Sequence, residues 1–186
     1  VNIALWDIKA KASNQPLHQL LGIKKTKKFR AYCSVLFGDT PAATYELARR
    51  FSDMGFTAIK FGWGPMGDNE KNDIELVRQA KKGVGDDVDI LIDAGQVWDW
   101  KTALLRAEQF AEFVPLWIEE PLSLDDIDGY AQLTARSPVP IATGEAESDL
   151  VNCKRLVSDG GLHWIQPDPG RCGITTFIEA GEYAYE

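Results

Sequence analysis

From position 29 onward, short apolar runs alternate with longer stretches whose apolar residues recur at helical spacing. The runs predict strands over 29–35 and 57–61, then three that close on Asp93, on Glu119-Glu120-Pro121 and on Glu145, and a sixth over 163–167. Between them lie helices. The first opens at Thr40-Pro41, with proline at the first helical position, and is expected to bury Leu47, Phe51 and Met54. The second covers 70–82. The third is capped by Asp99 and carries an apolar stripe of Leu104, Ala107, Phe110 and Ala111. The fourth covers 125–135, with Ser123 as its expected cap. The fifth is capped by Ser148 or Asp149 and is expected to bury Leu150, Cys153, Leu156 and Val157. The last starts near Ile174. Residues 1–22 read as helical with Gly22 as the stop, and the lysine-rich run 24–28 reads as a solvated linker.

Strict strand–helix alternation predicts an α/β protein with a parallel sheet. A doubly wound open sheet usually carries a glycine-rich phosphate loop after its first strand, and Leu36-Phe37-Gly38-Asp39-Thr40 is not one. A (β/α)8 barrel places functional residues at the C-terminal ends of several strands, which is the pattern here. Six βα units cannot close such a wall, so the first and sixth strands are expected to be bare edges. The chain starts at Val1 rather than Met, and both ends fall inside helical patterns, so it is expected to be part of a longer protein.

Three of the strand ends are acidic at even spacing. Asp93, Glu119 and Glu145 lie 26 residues apart, twice over. Period-two alternation pairs Leu91 with Asp93, Trp117 with Glu119 and Thr143 with Glu145 on one face, and turns Glu120 to the other. Carboxylates converging at one end of a sheet repel one another unless protons or a cation intervene, and a hard divalent ion such as Mg²⁺ is the simplest remedy. The alternative is that these acids cap helices or pair with surface lysines. Lys60 occupies the matching strand-end position on strand two, and Asp168 follows Gln166-Pro167 on strand six.

The bulk numbers narrow the class. A formal charge of −8 speaks against nucleic acid as a partner. No apolar run approaches the roughly 20 residues of a membrane helix, and no signal-peptide layout opens the chain. Cys33, Cys153 and Cys172 are odd in number and lack metal-ligand spacing, so they read as free thiols of a cytoplasmic protein.

Taken together, Ala4-Leu5-Trp6-Asp7-Ile8, the segment 16–22, Gly55-Phe56-Thr57-Ala58-Ile59-Lys60, Asp93-Ala94-Gly95-Gln96, Trp117-Ile118-Glu119-Glu120-Pro121, Gly144-Glu145, Gln166-Pro167-Asp168 and Gly173-Ile174-Thr175 resemble the enolase superfamily in its mandelate racemase and muconate lactonizing enzyme branch. The resemblance implies that 1–22 is the last helical part of an N-terminal capping domain. It implies that 23–186 holds strands one to six of the barrel. It also implies Mg²⁺ held by Asp93, Glu119 and Glu145, a small-molecule carboxylate substrate bound to the metal, removal of the proton α to that carboxylate, and an enediolate stabilised by the metal. Homo-oligomers are usual in the family.

Departures from the family pattern refine this. Many members carry Lys-x-Lys on strand two, with the second lysine as a base; here the segment is Lys60-Phe61-Gly62. Lys60 matches the first lysine, which assists the substrate carboxylate. Asp168 matches the aspartate that holds a strand-seven histidine, and no such histidine is present: His18 and His163 are read as structural. Gly95 stands where asparagine is frequent. This combination resembles the acid-sugar dehydratases, which form 2-keto-3-deoxy acids. The alternatives are a racemase, epimerase or cycloisomerase of the same superfamily, and, outside catalysis, a metal-binding remnant or assembly subunit. Trp63, in the loop after strand two, and Arg171, beyond Asp168, are candidate substrate-binding residues.

Overall fold

The computed structural model describes residues 1–23 and 27–185; positions 24–26 of the basic linker lie outside the described residues. Two helices, α1 (Asn2–Ala12) and α2 (Leu17–Leu20), precede six βα units. These are β1 (Cys33–Leu36) with α3 (Pro41–Asp53), β2 (Ala58–Gly62) with α4 (Glu70–Val84), and β3 (Asp89–Asp93) with α5 (Trp100–Phe110). They continue with β4 (Ile118–Glu119) and α6 (Ile127–Thr134), β5 (Ile141–Thr143) and α7 (Leu150–Ser158), and β6 (Trp164–Ile165) and α8 (Pro169–Tyr185). The strands form one sheet in sequence order, with every neighbouring pair parallel. The open, partial barrel wall expected from the alternation is what forms, with β1 and β6 as its edges.

Alternation along the strands sorts the sheet into two faces. Ile59, Phe61, Ile90, Ile92, Ile118 and Ile141 are almost fully buried against the helical layer, where they meet Leu76, Val77, Ala107, Phe110, Leu133 and Leu156. The other face carries Lys60, Leu91, Asp93, Trp117 and Glu119. It is concave. Flat-sheet spacing of about 4.8 Å per strand would set β1 and β4 about 14 Å apart. Yet the rings of Tyr32, just before β1, and Trp117, just before β4, meet edge-on at 5.9 Å between centroids.

Cap chemistry sets most helix starts. The side chains of Thr40, Asn69, Asp99, Asp126 and Asp149 each accept a backbone N–H from the first turn. One expectation changes here, and one pair of alternatives is resolved. Asp126, not Ser123, caps α6, because Ser123 lies in a separate turn in which its carbonyl accepts from the Asp126 N–H at 3.1 Å. Asp149 rather than Ser148 caps α7. The α3 stripe also shifts. Thr44 and Ala48 are its buried residues, Leu47 and Phe51 are half-buried, and Met54, at the C-cap, is 63% exposed. On α5, Ala103 and Arg106 are buried with Ala107 and Phe110, while Leu104 and Ala111 are only partly covered. On α7, Cys153 and Leu156 are buried, with Leu150 and Val157 half-buried. Strand one is shorter than its apolar run, because Phe29 is 85% exposed and residues 29–32 make no ladder. In α8, Gly173 at φ 82° interrupts the helix, so the long helical run begins at the expected Ile174.

Candidate metal and carboxylate site

The concave face ends in a cavity of about 320 Å³ lined by Ser34, Val35, Leu36, Lys60, Gly62, Trp63, Asp93 and Glu145. Parallel register builds it. Gly62 pairs with Asp93, and Asp93 pairs with Glu119, so the ends of β2, β3 and β4 align across the sheet. Gly62 has a spatial reason to be glycine. A Cβ there would lie 2.8 Å from the Asp93 Cβ and 3.2 Å from its Oδ2. The Asp93 side chain occupies the space beside the Gly62 Cα.

Lys60 sits between two of the acids. Its Nζ hydrogen-bonds Glu119 Oε1 and lies 3.4 Å from Asp93 Oδ2, with the three side chains at most 10% exposed. Burial pulls the ammonium down, but the hydrogen bond and charge of Glu119, aided by Asp93, hold it above lysine's ordinary value. Glu119 is further fixed by Trp117 Nε1, which donates to Oε2 at 2.9 Å, and by Gln166 Nε2 at 3.1 Å. Asp93 Oδ1 accepts from Trp63 Nε1 at 3.2 Å and from the Gly95 N–H at 3.1 Å. Burial, then the charge of Glu119, pushes the Asp93 carboxyl above its usual range, and Glu145 adds to this.

Glu145 reaches this cavity by a different route from the expected one. Thr143 faces the helical layer beside the Tyr130 hydroxyl, so strict alternation would send Glu145 there too. Gly144, at φ 117°, breaks the alternation and returns Glu145 to the concave side. Glu120 turns to the opposite face as expected. It is 3% exposed, with Oε2 held by Gln96 at 3.3 Å and Oε1 without a partner.

The remaining candidates separate from this group. Asp168 is exposed and accepts from the Gly170 N–H at 2.7 Å, while its carbonyl accepts from the N–H groups of Arg171 and Cys172. It starts the helical turn before Gly173. Arg171 is exposed and forms no ion pair among the described residues. Trp63, 54% exposed, contacts Asp93 at the cavity mouth. His163 Nδ1 accepts from the Ile141 N–H at 3.1 Å, at the opposite end of the sheet, a structural role. Gln166 was not foreseen as a site residue. Its only sequence signal is its place at the end of the sixth apolar run, next to Asp168.

Asp93 and Glu119 pair with one ammonium and Glu145 lines the same partly buried cavity, a formal charge of −2 for three acids and one lysine. That donor set suits a hard divalent cation. Among the described residues, however, no three His, Cys, Asp or Glu side chains converge closely enough to hold a metal as placed, and Lys60 lies between Asp93 and Glu119. Among the same residues, no helix is long and apolar enough to cross a membrane.

A partial parallel barrel with acids at the ends of successive strands defines a class, the enolase-type barrels, and comparison with known proteins agrees. Residues 43–186 match the family model of enolase C-terminal domain-like proteins, and residues 1–22 match that of the mandelate racemase / muconate lactonizing enzyme N-terminal domain. The chain belongs to the enolase superfamily, in its mandelate racemase / muconate lactonizing enzyme branch. It is 33% identical to L-talarate/galactarate dehydratase of Salmonella typhimurium over 99% of this chain and 46% of that protein. D-galactonate dehydratases of Pectobacterium atrosepticum, Klebsiella pneumoniae and Cronobacter sakazakii match at 31–33% over 95% of this chain and 47% of theirs. Among solved structures, a Bradyrhizobium enolase complexed with magnesium and mandelic acid superposes with a TM-score of 0.87 at 26% identity, covering 98% of this chain and 50% of that one. The 3,6-anhydro-D-galactonate cycloisomerase of Zobellia galactanivorans superposes at 0.85 and 30% identity, covering 98% and 52%. The chain thus spans about half the length of the curated relatives it matches.

Proposed function

We propose that the protein containing this chain is a Mg²⁺-dependent dehydratase of a sugar acid. The observation that carries the reading is the grouping of Asp93, Glu119 and Lys60 at adjacent strand ends, with Glu145 lining the same cavity and Gly62 where a second lysine would stand. Asp93, Glu119 and Glu145 would hold the cation. When bound, it supplies electrostatic stabilisation of the charge that develops on the substrate carboxylate as the α-proton leaves. Among the described residues, Lys60 is the one ammonium in the cavity lining, and it would donate to that same carboxylate. Displacing it from Glu119 onto substrate would also free Glu119 Oε1 for the cation. Trp117 and Gln166 keep Glu119 in place throughout.

Dehydration moves the α-proton to a base, and the β-hydroxyl leaves as water once that base, acting as general acid, hands the proton on to it. The enol left behind tautomerises to the 2-keto-3-deoxy acid. The residues lining the cavity are assigned to binding and charge stabilisation, and the base to a histidine at the family's strand-seven position. Asp168, by family position, would orient it. The dehydratase relatives favour elimination over isomerisation.

The test is a panel of aldonic and aldaric acids incubated with the full-length protein and Mg²⁺ in D₂O. A 2-keto acid trapped with semicarbazide supports the reading. Deuterium at the α-carbon without ketone replaces it with a racemase or epimerase, and an isomeric ring-opened or ring-closed product replaces it with a cycloisomerase. No exchange and no product overturn catalysis at this site.

A further inference from the structure

Trp63 sits at the cavity mouth, where a flat ring would ordinarily be read as a substrate platform. Its contacts give it a different job. Two of them converge on Asp93, where a third donor comes from Gly95. The Trp63 backbone N–H donates to the Asp93 carbonyl at 3.1 Å, extending the β2–β3 ladder. The indole Nε1–H donates to Asp93 Oδ1 at 3.2 Å. The Gly95 N–H donates to the same oxygen at 3.1 Å. Oδ1 is thereby committed to two neutral N–H donors, and Oδ2 is left facing Lys60 and the cavity.

Gly95 is shaped for this ring. A Cβ at residue 95 would lie 3.1 Å from Trp63 Cδ1 and 3.3 Å from Nε1, and the backbone there is left-handed at φ 65°. The loop that presents the ring is itself pinned. Asp73 is fully buried on α4, where its Oδ1 accepts from the Gly67 N–H at 2.7 Å and its Oδ2 pairs with Arg106 Nε on α5 at 2.9 Å. Met66, 4% exposed, plugs the same loop into the core. The indole is therefore held by a rigid support rather than left free to follow a ligand.

We infer that Trp63 is a positioning residue for Asp93: its indole N–H, admitted by the bare face of Gly95, fixes the carboxylate so that Oδ2 points at the cation site. This rests on the metal reading above. Partners that orient a ligating group typically contribute 10–100-fold in metal affinity.

The experiment compares the full-length protein with Trp63→Phe, which keeps an aromatic ring and removes the N–H. Mg²⁺ affinity is read by calorimetry and by the ¹⁵N-labelled indole N–H signals of the six tryptophans in this chain. The signal lost in Trp63→Phe identifies Trp63. The expected result is an indole signal that shifts on Mg²⁺ addition, Mg²⁺ affinity about tenfold weaker in Trp63→Phe, and an unchanged Tm without metal. Gly95→Ala, which displaces the ring, should weaken Mg²⁺ similarly and move the Trp63 signal toward that of a free indole. Wild-type binding with both variants equal to it overturns the inference and leaves the metal reading intact. A wild-type protein that binds no Mg²⁺ overturns the metal reading and the inference with it.

Discussion

Replacing Lys60 with methionine isolates the electrostatics of the site, because the stem stays and only the charge leaves. Lys60 is 9% exposed at its side chain and Glu119 is 1% exposed, so the pair is largely out of solvent. Removing one partner of a buried ion pair typically costs about 3–5 kcal/mol, since the remaining charge is left uncompensated. Glu119 keeps the N–H donors of Trp117 at 2.9 Å and Gln166 at 3.1 Å, which places the expected loss at the lower end, about 3 kcal/mol. For a domain of this size that is about 6–12 °C in Tm.

The loss should depend on pH and on metal. With the ammonium gone, the Asp93 carboxyl, already held above its ordinary value by burial and the charge of Glu119, loses the Lys60 charge that favours its ionised form and rises further. For a carboxylate, stability is then lost as pH rises from the unfolded pKa, about 4, through the raised folded value. Lys60→Met should therefore approach wild-type stability near pH 4 and fall away from it by pH 7. At neutral pH, Mg²⁺ at 100 times its Kd should restore about 2.7 kcal/mol, most of the deficit. Thermal melts at pH 4 and pH 7, with and without Mg²⁺, check all three. A variant as stable as wild type at pH 7 without metal would refute the buried-pair reasoning. A deficit unchanged between pH 4 and pH 7 would refute the carboxylate explanation of it.

Asp93→Asn should raise Tm in the metal-free protein, because burial and the charges of Glu119 and Glu145 already disfavour its ionised form, and should abolish the Mg²⁺-dependent rise in Tm. Gly62→Ala places a Cβ 2.8 Å from the Asp93 Cβ and should cost about 1–3 kcal/mol in denaturant melts while weakening Mg²⁺. Arg106→Leu leaves the fully buried Asp73 unpaired and should cost about 3–5 kcal/mol, seen as a lower urea midpoint. Tyr130→Phe removes the donor to the Leu122 carbonyl at 3.0 Å and should cost about 1–3 kcal/mol by the same measure.

The layer architecture was legible because strand positions facing the helices are apolar at period two, and Ile59, Phe61, Ile90 and Ile92 sit where β2 and β3 form. Boundaries were less so. Residues 29–32 are composed like a strand and make no ladder, and Met54 fits the helical stripe but falls at the C-cap, past the last turn that meets the sheet. Periodicity reports which residues suit a face, not where the neighbouring element stops.

The site divides along the same line. Its charged members announce themselves, because a carboxylate ending an apolar run is conspicuous, and Asp93, Glu119 and Lys60 do meet. Their neutral partners do not. Trp63, Trp117 and Gln166 each lend one N–H to an acid, and nothing in composition or spacing distinguishes such a donor from a packing residue. Glu145 shows why counting by twos is not enough. Alternation paired it with Thr143, which faces the helices, and one glycine at φ 117° reverses the outcome. A side chain larger than glycine at 144 would meet Ile165 Cδ1 at 2.6 Å and would also resist that dihedral. Glu145's place at the cavity is thus encoded by its neighbour, and Gly144→Ala should remove that acid from the site without altering any acidic residue.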